Sequence, residues 1–110
     1  MTTTATVLLE SKIAVATTTT QYTSTGLVTI IDKFTSTNYD TVPRTLSVYL
    51  VPSGSTAGTT NLMRAKTLPA GAAYEWPEVV GHVLKDGDFI ATLSSNATGV
   101  NIRASGRQIT

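Results

Sequence analysis

An all-β fold, an antiparallel β-sandwich or jelly-roll-like barrel of about seven to nine short strands, follows from three features of the sequence. Threonine fills a fifth of the 110 positions, and β-branched side chains lose rotamer freedom in helices but pack well on a pleated surface. Short runs alternate apolar and polar residues, the period of a half-buried strand. Glycine, proline, asparagine and aspartate break those runs at regular intervals. The length sets a single domain, 1–110, whose polar ends, 1–5 and 106–110, are expected to extend as arms onto neighbouring molecules.

Residues 5–10 and 13–16 read as one bent strand or two short ones, with Ser11 and Lys12 at the bend, and 17–20, four threonines, as extended chain. Thr25-Gly26 is a turn. The next strand, 27–35, places Val28, Ile30 and Phe34 on one face and Thr29, Lys33 and Thr35 on the other, with Asp32 interrupting the apolar face. After a polar loop at 36–40, Pro43 holds Val42 extended and leads into 45–54, the expected central strand, with Leu46, Val48 and Leu50 toward the core.

The connection after it lacks periodicity and contains two glycines at 54 and 58, so a flexible hairpin loop is expected, longer than the usual two to five residues. Residues 62–68 return as a strand, Pro69-Ala70-Gly71 turns, and 73–76 adds a short strand. The stretch 77–85 has the layout of a short helix. Pro77 stands at its first position, Glu78 in its first turn, Lys85 in its last and Gly87 just beyond. In the following strand Phe89, Ala91 and Leu93 share a side. The last strand, 100–106, points Val100, Ile102 and Ala104 inward and Asn101, Arg103 and Ser105 outward.

Composition removes several function classes. A net charge of +1 without a basic cluster leaves no footprint for nucleic acid. The absence of cysteine excludes disulfides and zinc–thiolate sites. No apolar run approaches the ~20 residues of a membrane helix, so no membrane partner is expected, and the first residues lack the pattern of a signal peptide.

No catalytic or cofactor-binding constellation emerges, and no cofactor is expected. The glycines of 53–58 lack the lysine of a P-loop. His82 is the sole histidine, with Glu78 and Asp86 four residues to either side on the expected helix face. Asp86 and Asp88 flank a glycine but are followed by Phe89-Ile90-Ala91 rather than further oxygen ligands. Glu75 and Glu78 need a shared cleft to act as an acid–base pair. The four tyrosines are scattered. Long loops on small sandwiches are often contact surfaces, so the candidate contact residues are Pro52, Ser53, Gly54, Ser55, Thr56, Ala57, Gly58, Thr59 and Thr60.

Five segments, 48–54 (VYLVPSG), 68–71 (LPAG), 76–84 (WPEVVGHVL), 87–88 and 100–106 (VNIRASG), together resemble small β-rich virion structural proteins of tailed bacteriophages. The resemblance covers the C-terminal two-thirds and carries no catalytic residues. It implies a non-enzymatic virion protein, assembled in the host cytoplasm. The implied role is a capsid decoration or cement protein that bridges major capsid protein subunits and is homo-oligomeric on the particle, or else a neck, collar or tail component. The competing class is a small carbohydrate-binding module, which calls for an exposed aromatic row.

Overall fold

The alternating runs become nine antiparallel strands in a computed structural model that describes residues 1–110. They are β1 (Thr3–Ile13), β2 (Thr19–Thr23), β3 (Val28–Asn38), β4 (Arg44–Val51), β5 (Leu62–Leu68), β6 (Ala73–Tyr74), β7 (Val83–Leu84), β8 (Phe89–Ser94) and β9 (Val100–Ile109). One sheet has five strands in the order β1-β9-β3-β6, with β7 also on β3, and the other has four, β2-β8-β4-β5. The sheets pack as a sandwich around Phe34, Leu46, Val48, Trp76, Ile90 and Ile102. Removal of such side chains from water is the main favourable term in folding.

The last strand runs as its alternation requires, with Val100, Ile102 and Ala104 buried and Asn101 and Arg103 exposed. β4 is interior to its sheet, with Leu46 and Val48 buried and Leu50 packed against the core from the rim. Its partner β8 is covered on both faces. Phe89, Ala91 and Leu93 do share a side, but it is the outer one, because Leu46, Val48 and Leu50 stand opposite Ser94, Thr92 and Ile90.

β3 departs from strict alternation. The buried positions are Thr29 and Ile31, then Phe34, Ser36 and Asn38, while Val28 and Ile30 face outward. The register against β9 shifts between Ile31 and Lys33, so Asp32 is a bulge that moves the inward set by one residue. A period-two reading carried through Asp32 therefore assigns the first half to the wrong face. Gly106, opposite Ile31, accommodates the kink: a Cβ there would lie 2.2 Å from the Ile30 carbonyl oxygen.

The helix expected over 77–85 does not form. Val79 and Val80 N–H groups donate to the Trp76 carbonyl at 3.0 and 3.2 Å, which makes one turn, and Gly81 at φ 90 ends it. The chain then joins β3: Gly81 N–H donates to the Ile31 carbonyl at 2.7 Å, Ile31 N–H to the His82 carbonyl at 3.0 Å, and Val83 and Leu84 pair with Ile30 and Thr29. Valine favours this outcome twice, being poor in helices and good at a sheet edge. The ends of the chain also pair. Thr3 to Thr6 lie against Ile109 to Gly106, so residues 3–5 and 106–109 are strand ends in the isolated chain rather than free arms.

Candidate functional site

The loop from Pro52 to Thr60 is closed on itself by hydrogen bonds. Ser55 N–H donates to the Pro52 carbonyl at 3.0 Å around Gly54, whose φ is 81. The rest hangs on Asn61, which is buried at the foot of β5. Its amide donates to the Thr56 carbonyl at 2.9 Å and accepts from Gly58 N–H at 3.0 Å. Its own carbonyl accepts from Leu50 N–H at 3.0 Å. Outside, Ser53 N–H donates to Asp88 at 3.0 Å, an approach permitted because residue 87 is glycine. A tied loop thus replaces the expected flexible one, and the second half of it is tied by one asparagine at the end of a stretch without periodicity.

This loop continues into the outer face of the four-stranded sheet. Cross-strand register puts Tyr49 beside Ala91 and Leu62, Ser47 beside Leu93 and Ala65, and Thr20 beside Ala91. Thr45 and Thr67 flank them, their hydroxyls 3.0 Å apart. The only charged residues in β2, β4, β5 and β8 are Arg44, Arg64 and Lys66. All three share the face of Leu46 and Val48, since they stand opposite Leu68, Val48 and Leu46. The outer face therefore carries no charged side chain. The sequence signal for it is the charge-free stretches 13–31, 45–63 and 89–102, which carry β2, β4 after Arg44, and β8.

Two of these charges, Arg64 and Lys66, meet at the rim, whereas Arg44 is paired with Asp40 at 2.7 Å. Tyr74 donates to the Glu78 carboxylate at 2.7 Å and Arg64 donates to the same oxygen at 2.9 Å, while Lys66 lies 5.0 Å from the Tyr74 ring centroid. Burial penalises the Glu78 charge, but the hydrogen bonds from Tyr74 and Arg64 outweigh it and hold the carboxyl below its ordinary value. The bond to that carboxylate raises both the Tyr74 hydroxyl and the Arg64 guanidinium. Trp76 beside them is fully buried, with its indole N–H donating to Ser36 at 2.7 Å. Its φ of 49 is a strained value for a bulky residue. Edge contacts with Phe34 and Tyr74, at centroid distances of 6.0 and 5.3 Å, hold it there.

Where the 75–82 segment arches over β3, an open groove of about 560 Å³ is lined by Asp32, Lys33, Tyr74, Glu75 and Val80. Glu75 pairs with Lys33 at 2.9 Å, whereas Glu78 is engaged by Tyr74 and Arg64 and does not line the groove. The two glutamates thus lack a common cleft. His82 is exposed, and without the helix its two acidic neighbours leave it: Glu78 binds Arg64, and Asp86 accepts from Gly26 N–H at 2.7 Å. Asp88 accepts from Ser53 and Lys85 N–H, so the Asp86-Gly87-Asp88 carboxylates hold backbone turns. With Trp76 buried and Tyr74 beneath Lys66 and Arg64, no aromatic row faces solvent in this region. Comparison with protein-family models, with curated proteins and with solved structures found no match to the chain.

Proposed function

We propose that this chain is a non-enzymatic structural subunit of a repeated assembly, and that the assembly is the virion of a tailed bacteriophage. The observation that supports assembly is the charge-free outer face of the four-stranded sheet, continuous with the loop 52–60. Burying such a face against a neighbour incurs no ion desolvation, the term that most often cancels polar contacts at an interface. Its threonine hydroxyls both donate and accept, which suits a lattice where one surface meets several neighbours. The virion context comes from the resemblance of segments 48–54, 68–71, 76–84, 87–88 and 100–106.

Within the virion the role is capsid decoration. The protein bridges major capsid protein subunits and resists the outward pressure of packaged DNA by buried surface alone. Neck, collar or tail placement is the second reading, and copy number separates the two. Quantitative gels of purified particles should show hundreds of copies; a dozen or fewer points to the neck or tail. Leu93→Lys, which places a charge in the middle of the outer face, should abolish incorporation into particles while the free chain still folds. Incorporation at the wild-type level would remove this face from the contact.

A further inference from the structure

The open edge of the five-stranded sheet carries an inference that does not depend on the virion reading. β1 is the outermost strand there, with β9 on one side and no strand on the other. At its start Thr2 and Thr110 exchange both backbone hydrogen bonds, at 3.1 and 3.0 Å. Such reciprocal pairs recur at every second residue of an antiparallel ladder. The register runs without shift from Thr3 opposite Ile109 to Val7 opposite Ser105. Thr4 and Thr6 therefore bond β9, while Thr3, Ala5 and Val7 turn their N–H and C=O groups to the open edge.

We propose that a second copy of this chain pairs on that edge, β1 against β1 and antiparallel, about a twofold axis through Ala5. Thr3 of each copy then lies opposite Val7 of the other, and Ala5 opposite Ala5. Every outward N–H and C=O of the three residues gains a partner, so the two five-stranded sheets become one. A strand that is complementary to itself is what an isologous contact requires.

The first half of this edge also lacks the devices that block such pairing, which β1 carries only beyond Val7, as Glu10, Lys12 and two register shifts. Residues 1–9 contain no charged residue and no proline, and no bulge interrupts Thr3 to Val7. The other edges have them: β5 carries Arg64 and Lys66 and a register shift at Met63, β2 is five residues long with a shift at Gln21, and β6 and β7 are two residues each. The charge nearest the axis is Arg107, opposite Ala5 on β9, already held by Asp32 at 2.9 Å. The two copies of Arg107 are separated by both β1 strands, about 14 Å at the usual strand spacing, beyond the screening length of ~8 Å at physiological salt.

Sedimentation velocity of the full chain across a concentration series tests the pairing, with the mass expected to rise to twice that of one chain. Ala5→Pro deletes an N–H that faces the open edge and breaks no bond to β9. It should remain monomeric throughout, with circular dichroism unchanged and an unfolding midpoint equal to that of the wild type at concentrations where the wild type is also monomeric. A wild-type chain that stays monomeric, or an Ala5→Pro chain that still dimerises, overturns the proposal. Because the chain has no cysteine, the register has its own test, which also decides the matter if Ala5→Pro folds poorly. Across the axis the Cα atoms of residue 5 lie about 5.5 Å apart, within disulfide reach, whereas those of residue 4 are displaced by two residues and lie outside it. Oxidised Ala5→Cys should run as a dimer on a non-reducing gel and Thr4→Cys as a monomer. Cross-linking of Thr4→Cys in preference to Ala5→Cys overturns the pairing as stated.

Discussion

The two outer faces of the sandwich are both antiparallel β-surfaces of one small domain, yet they treat charge in opposite ways. The five-stranded sheet displays it in pairs: Asp32 with Arg107, Lys33 with Glu75, and Glu10 with Arg103. The four-stranded sheet turns its three cations away from its outer face, Arg64 and Lys66 to the rim and Arg44 to Asp40, and leaves its exterior to threonine, serine, alanine, leucine, tyrosine and phenylalanine. The low charged fraction of 14% is therefore unevenly spread, with one solvated face and one that loses little by leaving water. The lesson is that composition alone suggests a uniformly bland surface, whereas strand register shows two surfaces with different uses.

The sharpest way to break this comparison is to place the same charge on both faces. Ala91, 1% exposed between Tyr49 and Thr20, should tolerate it badly. Ala91→Asp is expected to cost about 2–3 kcal/mol in urea unfolding, the cost of an unpaired charge in a covered position. Thr35→Glu on the other face falls opposite Arg103 and should change stability by no more than about 0.5 kcal/mol. Equal losses in the two variants would mean that the faces do not differ in solvation.

How much of this was readable in advance depends on whether the information is local. The sandwich, its antiparallel strands and the inward set of β9 follow from alternation that Val100, Ile102 and Ala104 keep without interruption. β3 misleads because the Asp32 bulge is a property of its pairing with Gly106, 74 positions away in the numbering of the chain. The segment after Trp76 misleads because proline, glutamate and glycine in helical order are local preferences, which pairing with the β3 edge overrides. The connection 52–60 was legible as a loop, but its closure by Asn61 was not. The charge-free face was half legible: its stretches stand in the sequence, but only register shows that their outward residues adjoin.

A second prediction sharpens the rim, where Arg64 and Lys66 of the four-stranded sheet are held. Glu78 has a carboxyl lowered in the folded state from its ordinary 4.5. On acidification the unfolded chain binds this proton first, so the contribution of Glu78 is fully present above its ordinary value and fades as pH falls through the lowered folded value. Glu78→Gln should therefore cost about 1–2 kcal/mol at neutral pH, the worth of charge-assisted hydrogen bonds from Tyr74 and Arg64. The gap between wild type and variant should close below the carboxylate range. Chemical denaturation as a function of pH measures it, and a gap independent of pH would assign the loss to packing around Trp76 instead.

The smallest effect belongs to the solvated face. Arg103 approaches Glu10 only to 3.5 Å, and the two side chains are 48% and 81% exposed. Ordering two long side chains in water offsets most of their attraction, and salt screens the remainder. Arg103→Ala should accordingly shift stability by about 0.5 kcal/mol or less, with the difference vanishing in high salt. A loss several times larger that persists in salt would show that Arg103 acts by packing its stem across β1 and β9. The contrast between the two faces would then rest on how each sheet covers its strands, with charge only marking which one does so.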